Sequence, residues 1–183
     1  MSVTAPTRTG GYLLGAASAG VAVAVGLGVY GRMHEPTGVA VNLAGFSGPM
    51  SVKSWLTTVV VLLALVQLGS ALAMYGRIPG LRPGRLVGVL HRWSGRTAVV
   101  VSVPVAAHCL YALGFQSTDT RVIVHSLLGC FFYGVFVVKM LVLAREGSPR
   151  WLLPLTGGAV FTALIGLWLT SALWFFTTFG VVR

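Results

Sequence analysis

Five long and almost uncharged apolar runs dominate this chain, at Tyr12–Tyr30, Ser54–Tyr75, Thr97–Phe115, Val122–Leu143 and Trp151–Phe176. A hydrophobic stretch of about 18 residues or more is long enough to cross the hydrocarbon of a bilayer as an α-helix. None of the runs alternates apolar and polar residues with the period that a strand requires. In lipid the backbone must satisfy its own hydrogen bonds, which leaves a set of spanning helices. The expectation is therefore an all-α fold, an integral membrane helical bundle with five transmembrane helices, forming a single transmembrane domain over residues 1–183. Nothing between the runs is long enough to build a core of its own.

Composition and charge agree. Apolar residues make up 56% of the chain and charged ones only 9%, against about a quarter charged in a soluble domain. The net charge of +10 would suit nucleic acid, but its distribution argues against that partner. With five spans, the N-terminus and the second and fourth loops share one side. Arg8, Arg77, Arg82, Arg85, Arg92, Arg96, Arg145 and Arg150 fall there, with Lys139 close by; Arg32, Lys53, Arg121 and Arg183 fall on the other side. By the positive-inside rule this predicts a multi-pass plasma-membrane protein with a cytoplasmic N-terminus and an exported C-terminus. Membrane lipid is the first expected partner, with anionic headgroups attracted to the basic side. The first span reads as an uncleaved signal anchor, because it is long for a signal core and GRMHEPTG offers no clean small-residue cleavage site.

The loops are short and turn-rich. Gly31–Lys53 is the longest and reads as irregular, with an interfacial segment around Val39–Phe46. GRIPGLRPGR is a basic turn punctuated by proline and glycine, followed by LVGVLHRWSGR as an amphipathic lead-in to the third span. Glycines inside the first and fifth spans (Gly15, Gly20, Gly26, Gly28, Gly157, Gly158, Gly166) suit close helix approach; Gly157–Gly158 near Pro154 also suits a kink. Cys109 and Cys130, the two cysteines, sit at different depths on antiparallel helices and read as small buried hydrophobes without a disulfide.

Two histidines carry the chemistry. His108 in AAHCLYALGF and His125 in TRVIVHSLLGCFF lie on consecutive spans joined by the tight turn QSTDT. An ionisable group inside the membrane is a functional candidate by default. With a rise of ~1.5 Å per residue, the two rings fall within about a turn of the same depth, toward the exported side. Equal depth on paired helices is what two axial bonds to a b-type haem require, and histidine is a standard ligand. Gly129, one turn from His125, would let a porphyrin plane approach the helix. Pro104, one turn before His108, removes a backbone bond and can bend the span. Arg121 can meet a haem propionate, and Tyr111 with Trp174–Phe176 supplies aromatic surface. The other reading makes His108 and His125 polar fasteners between helices, worth about 1 kcal/mol.

The remaining polar groups are open to more than one reading. His91 lies seventeen residues before His108, well off its face in a straight helix. It is an interfacial group, a contact to a quinone or haem edge, or the partner of Met140 at a second haem. His34 reads as a solvated surface group. Gln67, in the middle of the second span, either bonds to a neighbouring helix or contacts a quinone head. Lys139 reads as a snorkelling cation.

At HRWSGR, AAHCLYALGF and TRVIVHSLLGCFFYG the chain resembles a family of uncharacterised actinobacterial five-span membrane proteins. The likeness runs on through GLWLTSALWFF and covers the last three spans well, the first two in outline. More distantly, the chain is similar to the transmembrane b-type cytochromes that reduce ascorbate-derived radicals or ferric iron. In that group an HxxxGR-like motif opens a core helix and histidines on paired helices ligate two haems. His91 with Gly95 and Arg96 matches the opening motif, while His108 and His125 match the paired ligands. The chain has fewer intramembrane histidines than two haems need, and the gap from His91 to His108 is wider than the group's usual spacing. The resemblance therefore implies one haem, as metal-binding cofactor of His108 and His125.

No GxGxxG fingerprint follows a strand anywhere, so electrons must come from an external donor. The functional expectation is a cytochrome-like electron-transfer subunit without a catalytic domain of its own. It would work between a membrane quinol or cytoplasmic donor and an exported redox protein, or inside a larger respiratory-type complex. The rival expectation is a haem-free structural or assembly subunit. A transporter is a weaker third, because transport calls for a polar midplane and inverted repeats and neither is seen.

Overall fold

A computed structural model describes residues 8–40, 42–80 and 84–182. Arg82, Arg183 and the Arg8 side chain, which enter the charge distribution above, lie outside the described residues. The fold is all-α, with five helices long and apolar enough to cross a membrane and no strand among the described residues. They are α1 (Arg8–Met33), α2 (Pro49–Met74), α3 (Arg85–Ala107), α4 (Thr120–Ala144) and α5 (Leu152–Trp168). Two of the spans continue beyond their α-helical part. The third runs into a π-helical turn, His108–Leu113, and the fifth through a π-helical turn, Leu169–Leu173, into α6 (Trp174–Phe179).

The chain forms two compact units. One holds Met1–His34 with Phe115–Gly166, and the other Glu35–Gly114 with Leu167–Arg183. In the first unit α1 packs against α4. The Tyr12 hydroxyl donates to the Leu141 carbonyl, and Gly20 lies against Gly134, so the two helices run antiparallel. The crossing is backbone against backbone: a Cβ built on Gly134 would sit 2.7 Å from the Gly20 carbonyl oxygen and 3.0 Å from Ala24 Cβ. Without a hydrophobic force between helices in lipid, such close approach is what gives the pair its dispersion energy. Gly166 meets the Leu128 methyl in the same way, at 2.7 Å from a built Cβ. Gly15, Gly26, Gly157 and Gly158 have no atom within 4 Å of theirs, so small-residue content alone does not say which glycines pack. Pro154 stands in the first turn of α5, where its missing N–H breaks no helical bond, and Gly157–Gly158 continue as regular helix. The start of α4 is capped by Asp119, whose carboxylate accepts the Val122 N–H at 3.0 Å.

In the second unit α2 packs against α3. Helix α2 starts at Pro49, ahead of the expected Ser54, because proline is suited to the first helical position. Lys53 is therefore a helical residue and not part of loop one. Likewise α3 takes in the LVGVLHRWSGR lead-in, and the third span runs unbroken from Arg85 to Leu113. The Val39–Phe46 stretch forms no helix among the described residues; Phe46 N–H closes a turn on the Leu43 carbonyl at 3.1 Å. Loop one instead caps the end of the third span. Thr37 N–H donates to the Tyr111 carbonyl at 3.3 Å and Gly38 N–H to that of Ala112 at 3.1 Å. These carbonyls belong to a turn that has no further helix to supply donors. The chain then leaves through Gly114 at φ 70°, a conformation suited to glycine.

Replacing Gly134 by leucine is expected to destabilise the protein by at least about 1–3 kcal/mol, the usual range for overpacking, since the new side chain meets backbone. Gly157→Ala should leave stability at or above the wild-type level. Unfolding titrations in mixed detergent–SDS micelles measure both.

Candidate functional site

The second unit carries a polar seam along α2 and α3. Gln67, in mid-span, donates through Nε2 to Ser94 Oγ at 2.8 Å and to the His91 carbonyl. The facing residue, Gly95, leaves room for it: a Cβ there would lie 3.1 Å from the Gln67 amide. One turn along, Ser70 Oγ and His91 Nδ1 are 2.8 Å apart. Ser70 Oγ also lies 2.7 Å from the Val66 carbonyl of its own helix, and the ring tautomer decides which of Ser70 and His91 donates to the other. Of the alternatives open for Gln67, the structure has the interhelical bond. His91 meets α2 through Ser70, a residue that no local pattern singles out.

The seam sets the register of the antiparallel pair, Gln67 against Ser94 and Ser70 against His91. His108 lies seventeen residues after His91, and Lys53 seventeen before Ser70. The same register thus puts Lys53 at the level of His108. The Lys53 ammonium acts electrostatically on that ring. Both side chains are buried, Lys53 at 6% and His108 at 7% relative exposure. Ser51, Ser54 and Thr57 are buried alongside on α2, but their hydroxyls are engaged. Ser51 donates to the Val182 carbonyl, Ser54 to Met50 and Thr57 to Lys53.

His108 opens the π-helical turn. Pro104, one turn earlier, has no N–H, and the His108 N–H is shared between the carbonyls of Pro104 and Val105. Single π-turns inside α-helices occur often at functional positions. Among the described residues, His108 Nε2 is the buried side-chain nitrogen or oxygen left without a hydrogen-bond partner. A buried polar atom in that state ordinarily costs about 1–3 kcal/mol. An imidazole nitrogen of this kind fits an axial bond to haem iron, for which Nε2 is a suitable donor.

The other residues singled out in the sequence belong to the first unit. His125 stands in the second turn of α4 and is half-buried, as is Gly129 one turn further on. Ser126, beside His125, donates to the Gln116 carbonyl at 3.1 Å and ties the start of α4 to the preceding turn. Arg121 is 3.8 Å from the Asp119 carboxylate, both partly exposed, so its charge has a partner within its own turn. His34 stacks on Tyr30 with ring centroids 5.0 Å apart and is half-buried where a fully solvated group was expected. Neither cysteine forms a disulfide. Among the described residues no group of three or more His, Cys, Asp or Glu gathers to hold a metal ion by itself.

Lys53 is the member of this site that the sequence reading missed, having been counted only as a loop charge. Two signals were available: the Gly-Pro pair that starts α2 upstream of it, and the spacing it shares with the two histidines of α3.

The chain belongs to a family of unknown function, DUF6529, which matches residues 13–183. No curated protein and no solved structure matches it.

Gln67→Ala removes both seam bonds and leaves Ser94 and the His91 carbonyl to find other partners. A loss of about 1 kcal/mol is expected, in line with interhelical hydrogen bonds in membranes. Unfolding in mixed micelles tests it, with Ser102→Ala, whose hydroxyl bonds only to its own helix at 2.8 Å, as the neutral control.

Proposed function

We propose that this member of the family is a small membrane electron-transfer subunit of the b-type cytochrome kind, in which His108 and His125 would hold one haem. The observation that carries the reading is the His108 Nε2: buried, without a hydrogen-bond partner, and opening a π-helical turn. When bound, the haem supplies a reversible one-electron change at its iron. The chain's own part is to bind, orient and exclude water. Pro104 and the π-turn set the direction of the His108 ring. The apolar walls of the spans keep the ligand bond dry and raise the cost of net charge, which is one lever on the redox potential. On α4, Asp119 and Ser126 anchor the turn that presents His125, and Gly129 leaves space beside it.

In this reading the donor is a membrane quinol or a cytoplasmic protein, and the acceptor is an exported redox protein or a neighbouring subunit of a respiratory-type complex. The chain lies in the plasma membrane with its N-terminus in the cytoplasm and its C-terminus exported, as the bias of arginine and lysine supports.

One observation favours the rival, a haem-free structural or assembly subunit. His91 is joined to Ser70 across α2 and α3, so this chain does use a histidine as a fastener between helices.

A dithionite-reduced minus oxidised spectrum of the purified protein, with pyridine haemochrome stoichiometry, separates the two. A sharp b-type α band at about one haem per chain is expected, lost in His108→Ala and in His125→Ala and kept in His34→Ala. A flat spectrum after expression with ample haem would leave the structural-subunit reading standing. For topology, alkaline phosphatase fused to the C-terminus should be active, and the same enzyme fused after Gly147 inactive.

A further inference from the structure

We propose that Lys53 is the counter-ion for a carboxylate on the ligand that His108 engages. The proposal deepens the haem reading and rests on it for one of the two sources such a carboxylate can have, a haem propionate or a small free carboxylate.

Lys53 is placed where a lysine has least to gain. It is buried at 6% exposure, and it sits one turn into α2, close to the positive end of the helix dipole. No acidic residue stands in that first turn. The one acidic side chain of the second unit, Glu35, is exposed, and among the described residues no carboxylate forms an ion pair with Lys53. The Lys53 backbone carbonyl accepts from Thr57 at 2.7 Å, and the neighbouring hydroxyls donate to carbonyls of the chain.

At the same level, in the register set by Gln67–Ser94 and Ser70–His91, stands His108 with a buried Nε2 that has no hydrogen-bond partner. Two polar groups from two helices mark one place in the second unit: a buried ring nitrogen without a hydrogen-bond partner and, at its level, a lysine that has no ion pair among the described residues. An apolar occupant would satisfy neither. A ligand with a nitrogen-seeking metal centre and a carboxylate satisfies both, and a haem carries those two groups on one molecule. A free carboxylate satisfies the ammonium and accepts a hydrogen bond from the ring in its Nε2–H tautomer. Arg121, the cation to which the sequence reading gave the propionate, already has Asp119 at 3.8 Å.

The test is an absorption titration of the detergent-purified apoprotein with haem b and with its dimethyl ester, in which both propionates are neutral. Wild-type protein should bind haem at least about tenfold more tightly than the ester, as a desolvated charge pair would give. Lys53→Met, which keeps the length of the stem, should lose that preference, Lys53→Arg should recover it, and Arg121→Gln should leave it in place. Equal binding of haem and ester by the wild type overturns the proposal without need of any variant, and so does a preference that survives in Lys53→Met or vanishes in Arg121→Gln. If the wild type binds neither porphyrin, the haem reading fails by itself, and a second arm decides on Lys53. Thermal unfolding with and without succinate, at fixed ionic strength against chloride, should then show stabilisation of the wild type that is absent in Lys53→Met. No stabilisation overturns the proposal.

Discussion

In hydrocarbon a backbone carbonyl or N–H has no water to turn to, so the chain must satisfy each of them internally. Everything else in this protein is arranged around that requirement. It forces the five apolar runs into helices, and it makes helix ends and irregular turns the places where polar chemistry concentrates. The third span shows the consequence. Pro104 lacks the N–H its turn would have used, and four residues further on a π-helical turn begins at His108. Loop one then supplies N–H groups from Thr37 and Gly38 to the carbonyls of Tyr111 and Ala112. The irregular loop is thus the cap of the segment that carries the candidate ligand, which couples its backbone to the site.

The two units solve helix association differently. In the first, α1 and α4 meet through glycine on glycine, with Gly134 close enough to Gly20 that a methyl group would strike the carbonyl. That contact gains dispersion and excludes polar groups. In the second, α2 and α3 meet through a seam of Gln67, Ser94, His91 and Ser70, each donor matched to an acceptor on the facing helix or its own. Interhelical hydrogen bonds of this kind are individually modest. Their larger effect is on register, because sliding α3 by one turn would strand several polar groups at once.

A register held by matched pairs makes the unmatched pair at the far end informative. Lys53 and His108 fall at one level of the α2–α3 pair, seventeen residues along each helix from Ser70 and His91, and the seam's rule of matched donors and acceptors fails there at His108 Nε2. Leaving a buried polar atom such as His108 Nε2 unsatisfied is rare in native proteins, and a ligand explains it most simply. The haem reading and the carboxylate inference draw on the same pair from its two sides, the ring nitrogen and the ammonium.

How much of this was legible in the sequence varies with the range of the physics involved. Hydropathy is additive along the chain, so five spans and an all-α fold were fixed by composition and run length alone. Pro104 and the histidine at the head of the altered turn were visible for the same local reason, and so was the candidacy of His108 and His125 as polar groups in apolar runs. Helix starts were less legible at α2, where hydropathy begins at Ser54 but Pro49 nucleates the helix, and this hid Lys53 in a loop. Glycine content marked possible crossings without telling Gly20 from Gly15, because close approach depends on what faces the residue and not on the residue. The choice for Gln67 between a helix and a ligand, the Ser70 partner of His91, and the pairing of Lys53 with His108 needed the antiparallel register. Register is a relation between two segments set by many side-chain contacts at once, and no local pattern in either segment contains it.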